Sequence, residues 1–336
     1  MRRYAFVALL LVPAFAHAQF ALPGFTGVVR IGMSPANPGP QQDVVLTLES
    51  SLIDLAASEI AWRVDGMARG PGESIAVRTG KLGSTMHVTA AVTTPEGSLV
   101  TASLDIAPTE LDLLYDSDTY VPPLYRGRAL PSAGSTVRLQ AIPHFVKPSG
   151  AEVPASDVIF AWKRNGQLLG SLSGKGRAAI TVPAPYLYGA DTVSVEARTA
   201  DDAFAGASSV TIPAVDPIVR LYQDHPLFGL RFDRALGTTT ALSDREMTFA
   251  AIPYFASARG PAAAPLTYAW SVNGNPVETA GDTKNELTIG AESGGSALLD
   301  LDLSSTDNIF FGAAGSWRIA FGEMLTADNP FFSNTR

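Results

Sequence analysis

Three segments of this chain repeat one pattern, and that pattern constrains the fold more than any other feature. They are Ile60-Ala61-Trp62-Arg63-Val64-Asp65-Gly66, Phe160-Ala161-Trp162-Lys163-Arg164-Asn165-Gly166 and Tyr268-Ala269-Trp270-Ser271-Val272-Asn273-Gly274. A large apolar residue, a small one and a tryptophan alternate with period 2, so the large side chains share one face of a strand. The Asp-Gly or Asn-Gly that follows supplies the positive φ angles of a tight hairpin turn. A tryptophan on a strand that runs into a hairpin is the core position of an immunoglobulin-type strand C. The tryptophans lie 100 and 108 residues apart, a spacing that allots one sandwich-sized unit to each.

The flanks extend the pattern. β-rich runs at Val44–Leu48, Val137–Ile142 and Met247–Ile252 precede each tryptophan and read as strands B. Longer alternating runs follow, marked by Val88/Ala90/Val92, Val193/Val195/Ala197 and Leu299/Leu301/Leu303. These fit strand F, and are expected to face the tryptophan from the opposite sheet. Closing strands are expected at Leu99–Ile106, Ser208–Ile212 and Trp317–Phe321. The fold class expected is all-β: three tandem immunoglobulin-like β-sandwich domains after an N-terminal signal peptide. The limits are 1–18 for the signal peptide, 25–107, 108–214 and 215–322 for the domains, and 323–336 for a short, poorly ordered tail. Short proline-bearing linkers, Ala107–Glu110 and Pro213–Pro217, imply a semi-rigid array.

Repeats two and three match each other beyond the tryptophan. Ala141-Ile142-Pro143-His144-Phe145 aligns with Ala251-Ile252-Pro253-Tyr254-Phe255, and Leu124–Leu130 more loosely with Leu230–Leu236. The second pair of segments is a candidate interface. Taken together, the repeats resemble bacterial tandem Ig-like or PKD-like extracellular domains, over roughly residues 25–322. The turns depart from the PKD pattern, in which a Gly-Asp-Gly turn follows the aromatic–Trp strand. The resemblance implies adhesion, spacing or assembly and carries over no catalytic residue.

The N-terminus supports export. Arg2 and Arg3 precede an apolar stretch from Tyr4 to Phe15, and Ala16-His17-Ala18 reads as a cleavage site. That stretch is shorter than the ~20 residues of a membrane span. The mature chain is therefore expected to be exported to the periplasm, cell surface or medium, with no stable membrane span after signal cleavage. Loss of Arg2 and Arg3 from the 24 basic residues leaves 22 against 32 acidic ones, a net of −10. Nucleic acid is excluded as a partner on that balance, because phosphate binding needs a basic face. Cysteine is absent, which removes thiol catalysis and thiolate metal sites and leaves burial and β-pairing to hold the domains.

Chemistry is hard to assemble from what remains. His87, His144 and His225 are scattered one per repeat, and Tyr254 stands where His144 would recur, so packing explains them better than ligation or base catalysis. No metal site is expected; were calcium to bind, Asp116 and Asp118 would be the first candidates. Asp300 and Asp302 alternate with leucines and read as the wet face of a strand. Gly170–Gly176 lacks the residues of a phosphate loop and reads as a turn. Tyr115, Tyr120, Tyr125, Tyr186 and Tyr188 crowd repeat two, where they could stack on sugars or pack a domain junction. The expectation is a non-enzyme without cofactor. Its Ig-like domains would act as spacers and interaction modules in adhesion or in pilus or surface assembly, with envelope or surface proteins as partners. A glycan-binding array is the alternative. Trp62, Trp162 and Trp270 are expected in the structural core.

Overall fold

The computed structural model describes residues 28–186, 189–242, 246–279, 281–290 and 295–321. The expected signal peptide and tail lie outside the described residues. Among those described there is no α-helix, only three single turns of 3-10 helix between strands. The chain folds as three tandem immunoglobulin-like β-sandwiches, each with its own buried apolar cluster.

The first sandwich comprises β1 (Arg30–Ser34), β2 (Asp43–Glu49), β3 (Glu59–Val64), β4 (Met67–Gly70), β5 (Ser74–Arg78), β6 (Met86–Thr93) and β7 (Leu99–Ile106). Sheet β1-β2-β5 packs on sheet β4-β3-β6-β7. The second holds β8 (Glu110–Ser117), β9 (Thr136–His144), β10 (Val158–Arg164), β11 (Gln167–Leu168), β12 (Gly174–Lys175), β13 (Ala179–Pro183), β14 (Gly189–Thr199) and β15 (Ala205–Ala214). There the sheets are β8-β9-β13 and β11-β10-β14-β15, with β12 also paired to β10. In the third are β16 (Ile218–His225), β17 (Gly229–Leu230), β18 (Thr239–Leu242), β19 (Glu246–Tyr254), β20 (Leu266–Val272), β21 (Asn275–Val277), β22 (Glu286–Gly290), β23 (Gly295–Ser305) and β24 (Gly312–Phe321). These form sheets β17-β16-β19-β22 and β18-β24-β23-β20-β21.

Alternation does the sorting. In β2, Val44, Leu46 and Leu48 turn inward while Asp43, Val45, Thr47 and Glu49 stay in water. The three tryptophans are at most 2% exposed. Each indole N–H donates to a backbone carbonyl two residues ahead of the strand that closes the other sheet. The acceptors are Gly72 O at 2.8 Å, Arg177 O at 2.8 Å and Lys284 O at 3.1 Å, ahead of β5, β13 and β22. Each indole thereby fills the core and ties the two sheets together.

One expectation is corrected here. β6, β14 and β23 do not face the tryptophans from the opposite sheet. They are hydrogen-bonded neighbours of the tryptophan strands, with Trp62 opposite Ala90, Trp162 opposite Val195 and Trp270 opposite Leu301. Inward alternation looks the same in a strand beside the tryptophan as in one across the core, so period 2 cannot separate the two.

The hairpins after the tryptophans are built alike. Asp65, Asn165 and Asn273 have φ of 49°, 50° and 52°, and the glycine after each has φ of 80°. This is the type I′ turn that matches the strand twist. Each turn residue also extends the ladder to its neighbour. Its side-chain oxygen accepts the amides of His87 (2.8 Å), Thr192 (2.9 Å) and Leu298 (2.8 Å), while its own N–H donates to the carbonyls of the same three residues. A short polar side chain that tolerates positive φ is therefore required twice over.

By contacts, the described residues fall into two units. One holds residues 28–36, 43–79 and 85–106; the other holds 37–42, 80–84 and everything from 107 onward. The second and third sandwiches thus belong to a single unit.

Candidate functional site

The polar groups singled out from the sequence are mostly spent on the fold. His87 pairs with Asp105 across β6 and β7, and His144 with Asp112 at 3.2 Å across β9 and β8. His225 Nδ1 accepts the Leu227 amide at 3.1 Å. Asp116 sits on β8 opposite Arg138, and Asp118 Oδ1 accepts the Thr136 amide at 2.9 Å. Among the described residues no group of three or more His, Asp or Glu side chains is placed to hold a metal ion. Gly170–Leu172 form a 3-10 turn, and the chain then returns to β10 through β12.

The tyrosines of the second sandwich do not form a row. Tyr115 lies under Arg128, whose guanidinium carbon is 4.0 Å from the ring centroid and whose Nη2 donates to the phenol oxygen. Tyr120 makes an antiparallel bridge into the third sandwich: its N–H donates to Ala256 O and its carbonyl accepts from Phe255 N–H, both at 2.7 Å. Tyr125 sets its ring edge-on to Tyr254 and Phe255, with centroids 5.6 and 6.0 Å away. Tyr186 stands 6.2 Å from Phe310, and Asn308 donates to Ala133 O at 2.7 Å. Tyr188 lies outside the described residues. A parallel bridge between Ser132 and Val215 adds a further tie. The junction therefore rests on backbone pairing as well as rings.

Beneath it lies a small extra core on the outer face of β16 and β19. Tyr222, Ala250 and Ile252 are buried there under Tyr120, Leu230, Phe232 and Tyr254. The Tyr222 and Tyr254 hydroxyls hydrogen-bond to each other. Desolvation, then that bond, pushes the Tyr254 hydroxyl well above its ordinary range; desolvation also raises Tyr120. Both phenols stay neutral at physiological pH and serve as packing.

Next to this core is a surface that the fold does not consume. After β16 the chain turns through Pro226–Phe228, helped by the positive φ of Gly229, and runs back along the edge of β16. Arg231 N donates to Gln223 O at 2.9 Å and Leu236 N to Leu221 O at 2.8 Å. Phe228 is held against the His225 ring at 4.7 Å, and Phe232 against Tyr222 at 5.5 Å. Leu124, Phe228, Leu230, Arg231, Phe232 and Asp233 line an open groove of about 510 Å³. Leu124 is 84% and Phe228 71% exposed. The groove thus joins the two segments that match in sequence, Leu124–Leu130 and Leu230–Leu236.

Leu124 holds a left-handed backbone, φ 69°. For a branched, non-glycine residue that costs on the order of 1–2 kcal/mol. Here it holds an apolar side chain in water, with no burial to offset it. Arg231 grips Asp233 with two bonds, Nε to Oδ1 at 2.9 Å and Nη2 to Oδ2 at 3.0 Å. This pairing, through its hydrogen bonds first, raises the Arg231 pKa and lowers that of Asp233, so both remain charged.

No family model matches the chain, and no curated protein does. Among solved structures it is similar to the central fibronectin-III array of RIM-binding protein, at 12% identity over 87% of this chain and 96% of that one, with a TM-score of 0.31. It is similar also to fibronectin(III)-like modules of Clostridium thermocellum CbhA, at 11% identity over 55% and 93%, with a TM-score of 0.27. A third is SGBP-B of a Bacteroides ovatus mixed-linkage glucan utilization locus, in complex with a mixed-linkage heptasaccharide, at 12% identity over 88% and 70%, with a TM-score of 0.23. At these scores none of the likenesses bears on function. Among the described residues no helix is long and apolar enough to cross a membrane.

Proposed function

We propose that the chain is a non-catalytic, exported surface or envelope protein, with domains at 25–107, 108–214 and 215–322 that act as spacers and interaction modules. The groove around Phe228 carries the reading. It is an exposed apolar surface with rigid aromatic anchors and an arginine at its lip, the residue types that dominate protein–protein hot spots. His87, His144, His225 and the carboxylates Asp105, Asp112 and Asp118, by contrast, are engaged in pairs or backbone bonds. The backbone bridges between the second and third sandwiches support the spacer role, since they fix the groove's two walls relative to each other.

A photo-crosslinking residue at position 228, in intact source cells, tests this. Cross-links to one or a few envelope proteins, absent with the same residue at the exposed position 168, are expected. An identical pattern at both positions, or a hydrolytic activity that follows the purified chain, contradicts it. The glycan alternative gains nothing from Tyr115, Tyr120, Tyr125 and Tyr186, whose rings pack on Arg128, the Tyr222 core, Tyr254 and Phe310 of the same chain.

A further inference from the structure

We infer that the groove takes an acidic segment bearing adjacent aromatic side chains, and that the chain's own residues 322–336 supply one in cis. The inference rests on the docking reading of the groove and names what fits there.

Charge sets the chemistry of the occupant. The chain as a whole carries a formal net charge of −8. In the two segments that meet at the groove the balance is reversed: Arg231 is taken by Asp233 and Arg128 by Tyr115, which leaves Arg126 and Arg234 as the net positive charge. An isologous contact between two such surfaces would bring like charges together. A segment with carboxylates beside aromatic rings satisfies both the arginines and the apolar wall of Leu124, Phe228 and Phe232. Residues 322–336 have that composition: Glu323 and Asp328 precede Phe331 and Phe332, with a single opposing charge at Arg336.

Topology sets the reach. β24 pairs in parallel with β18, Leu242 opposite Phe321, and β19 begins only four residues later at Glu246. The start of β19 pairs with the end of β16, Thr248 opposite Asp224. Phe321 therefore lies at the end of the third sandwich where β16 turns through Phe228. Phe331 follows ten residues after Phe321, a span of up to about 33 Å. A tether of that length gives an effective concentration in the millimolar range, which favours the segment in cis over one from another copy.

The absence of cysteine makes the test direct. Leu124→Cys and Ser333→Cys are introduced together in the full chain and oxidised mildly at low protein concentration. An intrachain disulfide is expected, forming at least about tenfold faster than with Leu168→Cys and Ser333→Cys. Adding Phe331→Ser and Phe332→Ser is expected to bring the rate down to that control. All the substituted described positions are exposed, so folding is spared. Equal rates for the two pairs, mainly interchain disulfides, or a rate indifferent to the two phenylalanines would overturn the inference. A control-level rate alongside partner cross-links at position 228 removes the segment and leaves the docking reading. A fast disulfide without such cross-links keeps the segment and removes the external partner.

Discussion

Each tryptophan does two jobs that substitution can separate. Its rings fill the core, and its N–H satisfies a carbonyl at the approach to the facing sheet. Trp162→Ala removes both and should cost about 3–5 kcal/mol in its own sandwich. Trp162→Phe keeps most of the bulk and leaves the Arg177 carbonyl without its donor, for about 1–3 kcal/mol. Denaturant melts of the two variants check the order; equal and negligible losses would contradict the core assignment. These residues were legible in the sequence because a thrice-repeated strand and turn leaves few other readings. Their carbonyl partners were not, since Gly72, Arg177 and Lys284 share no side-chain type and the bond uses only their backbone.

At the scale of elements, the Asx-Gly hairpins combine a turn with an extension of the ladder. Asn165→Gly keeps the positive φ but loses the bond to the Thr192 amide, at about 1 kcal/mol. Asn165→Ala loses the bond and must hold φ 50°, adding about 1–2 kcal/mol. The predicted stability order, wild type above Gly above Ala, is read from chemical denaturation; Ala at or above Gly would contradict it. The sequence showed the strands better than their neighbours. β6, β14 and β23 were visible from their alternation, yet their sheet was misassigned, because inward-facing residues repeat with period 2 on both sides of a core. The return of the chain after β16 was hidden for another reason. Pro226–Asp233 has no clean alternation, and β17 is only two residues long. The loose match of Leu124–Leu130 to Leu230–Leu236 pointed at the right segments without showing that they meet.

In the molecule as a whole, the second and third sandwiches belong to one unit, bridged at Tyr120 among other contacts, and the groove lies on that unit. Tyr120→Pro removes the N–H that donates to Ala256 and the ring over the Tyr222 core. Calorimetry should then resolve separate transitions for the two sandwiches, where the wild-type pair is expected to melt in one. A single unchanged transition would contradict the coupling. The tyrosine crowding was legible as an alternative between sugar stacking and a domain junction. The backbone bridges at Tyr120 and Ser132, which leave no trace in composition, favour the junction together with the ring contacts to Tyr254, Phe255 and Phe310.

The most direct measurement is the distribution of the chain between envelope-bound and soluble fractions of its source cells, for wild type and for the double variant Leu124→Glu, Phe228→Glu. Both positions are exposed, so the melting temperature should hold. The variant's bound share is expected to fall several-fold. An unchanged distribution, with melting also unchanged, would mean that the groove is not what holds this protein to its partners.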